Sequence, residues 1–122
     1  MQDQQALELI KVAGYRDFFR TYIRRIIEID GLTQLREADA VIWTTLYVVE
    51  NRVDAASLFI QKASVMKEYI DGRLYYGATA EKRANDSRVR FLKVLKEKSD
   101  EEEVVAECDR LLSMWRESSL VY

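Results

Sequence analysis

No glycine or proline interrupts the chain between Thr33 and Gly72, and apolar residues recur through that stretch at steps of three and four. Leu35, Ala38, Ile42, Leu46, Val49, Val53, Ala56, Ile60, Ala63, Met66, Ile70 and Leu74 return to one side of a helix, because about 3.6 residues make a turn. Trp43, Tyr47, Val48, Leu58, Phe59 and Val65 lie off that stripe, where a surface helix would carry charge. A helix apolar on most sides is one enclosed by neighbours. As a single helix the run would span about 60 Å at 1.5 Å per residue. The alternative is a tight turn at the polar patch 50–54, with Asp54 capping a second helix. The turn is the expected form, which makes residues 35–74 a central helical hairpin.

The flanking segments are punctuated in the manner of helices. A first helix is expected from Asp3, as cap, to about Ile29, burying Leu7, Ile10, Tyr15, Phe18, Tyr22, Ile26 and Ile29, with Phe19, Ile23 and Ile27 widening the stripe. Gly14 inside it marks a kink or a close backbone approach. Asp30-Gly31 should end that helix and Thr33 cap the next. Asp71-Gly72 and Tyr75-Tyr76-Gly77 bracket the far end of the hairpin. Thr79 is the expected cap of a helix from Ala80 to about Glu97, with Val89, Leu92 and Leu95 apolar and Phe91 and Val94 beside them. Ser99 with Glu102 reads as a capping box opening a last helix, 100–117, that buries Val104, Val105, Cys108, Leu111, Leu112 and Trp115. Proline is absent, and dipeptides of the strand-turn type are scarce. The expected fold class is therefore all-α: one domain, 1–122, as an antiparallel bundle of four to five helices around the central helical hairpin. The spacing Thr44, Tyr47, Ala56, Ile60, Ala63 resembles the helix-turn-helix of a tetratricopeptide repeat. That resemblance implies two closely packed helices and carries no function, since no second copy follows around 73–105.

The residue inventory narrows the chemistry. With no histidine, the commonest general base, zinc ligand and nucleophile activator are all missing. No Gly-Lys-Ser/Thr phosphate loop occurs. Of Asp100, Glu101, Glu102, Glu103, Glu107 and Asp109, only Glu103 and Glu107 share a helix face, so the acids read as a dipole-favoured helix start rather than a metal site. The single cysteine, Cys108, falls on the apolar face and reads as structural. No enzyme, metal or cofactor is expected.

Binding is better represented. Arg16, Arg20 and Arg24 step by four, with Arg25 on the other flank and Tyr15, Phe18, Phe19 and Tyr22 interleaved. Lys82, Arg83, Arg88, Arg90, Lys93 and Lys96 form a second basic stretch. Arginine columns beside aromatics grip phosphate and stack on bases, although these aromatics also fall on the stripe that should be buried. The net charge of −2 hides this asymmetry, because residues 97–109 are strongly acidic. Two tryptophans and seven tyrosines exceed what a small bundle needs for packing, and Trp43, Tyr47, Trp115 and Tyr122 are candidate interface residues. The expected function is a non-catalytic helical interaction module, self-associating or bound to another protein. The alternative is a nucleic-acid-associated accessory protein using 16–25 and 82–96. The start lacks a signal-peptide pattern, and no apolar run reaches the ~18 residues of a membrane span. A cytoplasmic site is expected, the host's cytoplasm if the chain is viral, with no membrane partner.

Overall fold

The structure, a computed structural model, describes residues 2–29, 34–37, 40–45 and 51–121. It is a helical bundle of five helices: α1 (Gln2–Val12), α2 (Arg16–Tyr22), α3 (Arg52–Ile70), α4 (Ala78–Lys98) and α5 (Glu102–Val121). A small sheet of three strands, β1 (Arg25–Ile29), β2 (Gln34–Arg36) and β3 (Val41–Thr45), stands between α2 and α3. The expectations for Asp30, Gly31, Thr33, Ala38, Leu46, Tyr47, Val48, Val49 and Tyr122 lie outside the described residues. So do those for the side chains of Ile29, Trp43 and Trp115.

The second arm of the expected hairpin is the centre of the molecule. α3 packs against all four other helices. Val53, Ala55, Ala56, Phe59, Ile60, Ala63 and Met66 are buried on it, spanning about 160° of its circumference at 100° per residue. The alanines let neighbours approach closely. The helix starts where a turn was expected but two residues before Asp54: Asn51 is the cap, its side-chain oxygen accepting from the N–H groups of Val53 at 2.9 Å and Asp54 at 3.1 Å. Its far end is closed at Gly72, φ +72°, where Gly72 N–H donates to Tyr69 and Arg73 N–H to Glu68. That pair of bonds is a Schellman closure, which needs the left-handed residue glycine supplies. Ile70 and Leu74, expected inside, are exposed at this end of α3.

The first arm is not a helix. Residues 41–45 form the middle strand of the sheet, so Thr44 cannot belong to a repeat-like helix pair. β1 runs parallel to β3 and β2 antiparallel, with Ile26 and Leu35 both opposite Ile42. This row of three points at the core: Ile42 is fully buried and the other two pack against the cluster. Branched and aromatic residues in Val41-Ile42-Trp43-Thr44-Thr45 suit a pleated surface better than a helix. The same applies to Arg25–Ile29, which ends the expected first helix seven residues early.

That first helix is also broken at Gly14. Gly14 N–H donates to Lys11 and Tyr15 N–H to Ile10, a second Schellman closure with φ +81° at the glycine. α2 then begins without a side-chain cap. Further on, Gly77 (φ +91°) rather than Thr79 precedes α4, again without a side-chain cap. The Ser99 hydroxyl accepts from Glu101 N–H at 3.2 Å and its backbone N–H donates to the Leu95 carbonyl at the end of α4, while Val104 and Val105 N–H both donate to the Glu101 carbonyl. The expected box is therefore replaced by a Ser99 turn two residues wide. Val104, Cys108 and Leu111 are buried on α5 and Phe91, Leu92 and Leu95 on α4.

α3 and α4 run antiparallel along a seam that is polar at one edge. Ser57 Oγ donates to the Asp54 carbonyl at 2.8 Å and accepts from Arg88 Nε at 2.8 Å, and Arg88 also pairs with the Asp54 carboxylate. Gln61 meets Asn85, Ser64 meets Ser87, and Glu68 accepts from Arg83 at 3.0 Å. On α3 these positions step by three and four, so one polar ridge lies beside the apolar face. No helix among the described residues is long and apolar enough to cross a membrane.

Candidate functional site

The reversal at Gly14 sets α1 beside the arm made of α2 and β1, and a groove of about 810 Å³ lies between them. Its two helical walls are built alike. On α1, Ile10 points into the core and Leu7 and Lys11, three before and one after it, stand on one flank. On α2, Phe19 points into the core and Arg16 and Arg20 stand on the matching flank. Ile23 leaves the helix in extended conformation, φ −116° and ψ 121°, which carries Arg24 and Arg25 to the groove's end. Leu7, Ile10, Phe19, Ile23 and Ile26 make the floor, and Leu7, 37 % exposed, is its most accessible apolar side chain. Glu8 is the one acid in the lining.

Lys11, Arg16, Arg20, Arg24 and Arg25 are all exposed, and among the described residues none makes an ion pair. Arg16 and Arg20, one turn apart with like charge, repel by a few tenths of a kcal/mol. Elsewhere several cations are matched: Arg52 with Glu101, Lys67 with Asp71, Arg83 with Glu68, Arg88 with Asp54 and Lys96 with Asp109. Lys62, Lys82, Arg90, Lys93 and Lys98 make no ion pair among the described residues but do not line one groove together. Burial pulls Arg88 below its ordinary pKa, while Asp54 opposes that shift.

The structure thus brings together the first expected basic set, Arg16, Arg20, Arg24 and Arg25, and adds Lys11. The second set does not join it. Arg83 is spent on Glu68 and on the Leu74 carbonyl at 2.9 Å. Lys82, Arg90 and Lys93 are exposed on α4 and line no part of the groove. The interleaved aromatics face inward: Tyr15 meets Phe91 edge-on at 5.2 Å, Phe18 meets Tyr22 at 5.3 Å, and Phe19 meets Phe59 at 6.2 Å. Phe19 is buried, and Tyr15, Phe18 and Tyr22 are half-buried against the core cluster and do not line the groove. The α1 wall was missed in the sequence, although Leu7-Ile10-Lys11 repeats the spacing of Arg16-Phe19-Arg20.

The acids make no comparable site. Among the described residues no three Asp, Glu or Cys side chains gather where they could hold a metal. Glu107 is tied to Arg110 and to Asn51, which hold its carboxyl below the usual range against the opposing effect of burial. Cys108 is fully buried, and burial, with Asp109 and Glu107 nearby, pushes its thiol up to about 11. At neutral pH it stays protonated, the unreactive form. Compared with known proteins, the chain matches no family model, no curated protein and no solved structure.

Proposed function

We propose that the protein is a small, non-catalytic binding module of the cytoplasm that holds an anionic partner in the groove between α1 and the α2–β1 arm. One observation carries this reading: five exposed cations from α1, α2 and β1 line a single groove, with no ion pair of their own among the described residues. Arginine supplies four of the five, and its planar fork suits carboxylate or phosphate oxygens. The sequence has no histidine, and among the described residues no acids gather beside these cations, which favours recognition over turnover. The test is retention on heparin, a sulfated polyanion, at two salt concentrations. The wild type should be retained at low salt and released as salt rises. A variant with Arg16, Arg20 and Arg24 all changed to Glu, folded by circular dichroism, should flow through. Flow-through of the wild type at low salt would sink the reading.

A second reading, self-association, is favoured by the turn between α3 and α4. Tyr69, Ile70, Leu74 and Tyr76 are all exposed there, and the rings of Tyr69, Tyr75 and Tyr76 form an edge-to-face chain at 5.2 and 5.4 Å. Exposed aromatic and apolar residues gathered at one turn are a common mark of a contact surface.

A further inference from the structure

The groove's floor and the charge of the rest of the molecule say which anion fits it. We infer that its partner is an acidic amphipathic helix of another protein, laid along α1 with aliphatic side chains on the floor and carboxylates under the arginines; this rests on the anion-binding reading above. Three observations select that partner. First, the floor is apolar and mostly aliphatic, with Leu7 exposed and Ile26 half-buried, whereas the only aromatic in the lining, Phe19, is buried. Single-stranded nucleic acid is held by a basic groove together with open aromatic rings on which bases stack. That second component is missing from this lining, while an aliphatic floor beneath a charged rim is what a helix lying in a groove uses.

Second, the net charge is −2 and the sequence pI is near 5.3. A long polyanion approaching the groove also feels that unfavourable field, but a short peptide feels mainly the local arginines. Third, the acidic stretch of the chain's own last helix is a poor match in a second copy: Val104, Cys108 and Leu111 are already buried against the core, and the exposed Met114 lies beyond the acids of 100–109. α1, eleven residues long, gives the partner a wall of about 16 Å, three helical turns. Glu8 lines the groove on that wall, so a basic residue on the flank facing α1 should help.

The experiment compares four probes by fluorescence anisotropy on the full chain. They are a 14-residue peptide with leucines at helical spacing and glutamates on one flank, its scrambled isomer, single-stranded oligo(dT), and a short RNA duplex of matched charge. The amphipathic peptide should bind about tenfold or more tighter than its isomer, because only it buries apolar surface on the floor. Leu7→Gln, at an exposed position, should cut that preference by about threefold or more. Equal affinity for peptide and isomer overturns the inference, leaving a groove that reads charge alone. Tighter binding of either nucleic acid overturns it in favour of phosphate recognition, and the anion-binding reading survives. If none of the probes and no heparin is bound, both readings fall.

Discussion

Gly14 and Ala40 both hold the chain at positive φ, +81° and +55°, but only one is a glycine. At Gly14 the left-handed turn closes α1 and starts the reversal that forms the groove, and a Cβ there would stand 3.1 Å from Lys98 Nζ. That ammonium is the end of a flexible side chain and can move, so the backbone sets the cost. Gly14→Ala should lower stability by about 1–2 kcal/mol in urea titration, the usual penalty of a left-handed alanine. Ala40 already bears this strain, while its carbonyl accepts from Arg24 N–H at 2.7 Å beside the start of β1. Ala40→Gly relieves it and loses about 0.4–1 kcal/mol to the freer unfolded chain. The midpoint should stay level or rise slightly. A marked loss from Ala40→Gly, or none from Gly14→Ala, would contradict these turns.

Among the elements, the α3–α4 pair shows how a helix can be wrapped and still carry polar residues. Arg88 joins Asp54 and the fully buried Ser57, so one guanidinium binds the first two turns of α3. Arg88→Met keeps the stem but strips the seam of its cation, leaving Ser57 without its donor and Asp54 without that charge. The expected loss is about 2–3 kcal/mol by thermal denaturation, because removing one partner of a largely buried pair strands the other. Asp54→Asn should cost less, since the amide oxygen can still accept from Arg88 and water reaches this 36 % exposed position. At this scale α3, α4 and most of α5 were legible from residue spacing and from Gly72, the polar patch before Asp54, and Ser99. The sheet was not. Leu35 and Ile42 fit a helical stripe as well as they fit a strand, and what separates the two is a partner far along the chain: Ile26 opposite Ile42, sixteen positions away.

For the molecule as a whole, charge is distributed unevenly rather than averaged. The α3–α5 body binds many of its cations internally, while the α1–α2–β1 face leaves five unmatched among the described residues. Anion binding there and self-association at the Tyr69–Tyr76 turn would therefore use different surfaces. Light scattering over a range of protein concentrations tests the second independently: association should rise with concentration, persist in salt, and weaken in a variant carrying Ile70→Gln and Leu74→Gln. Both positions are exposed, so the changes should shift stability by only about 0.5 kcal/mol. A strict monomer at high concentration would remove self-association and leave the groove untouched.

The sequence alone determined a helical bundle and the buried face of its central helix, because apolar spacing, caps and closing glycines are properties of neighbours in the chain. It also marked four of the five groove cations, Arg16, Arg20 and Arg24 as a column one turn apart and Arg25 on the other flank. Only the tertiary structure decided that this column faces a second wall carrying Leu7 and Lys11, that its aromatics turn inward, and that the second basic stretch lies elsewhere. The physical reason is the reversal at Gly14 and the strand that follows α2. Where a turn sends the chain, and which distant strand it pairs with, are settled by packing between residues that no local spacing connects.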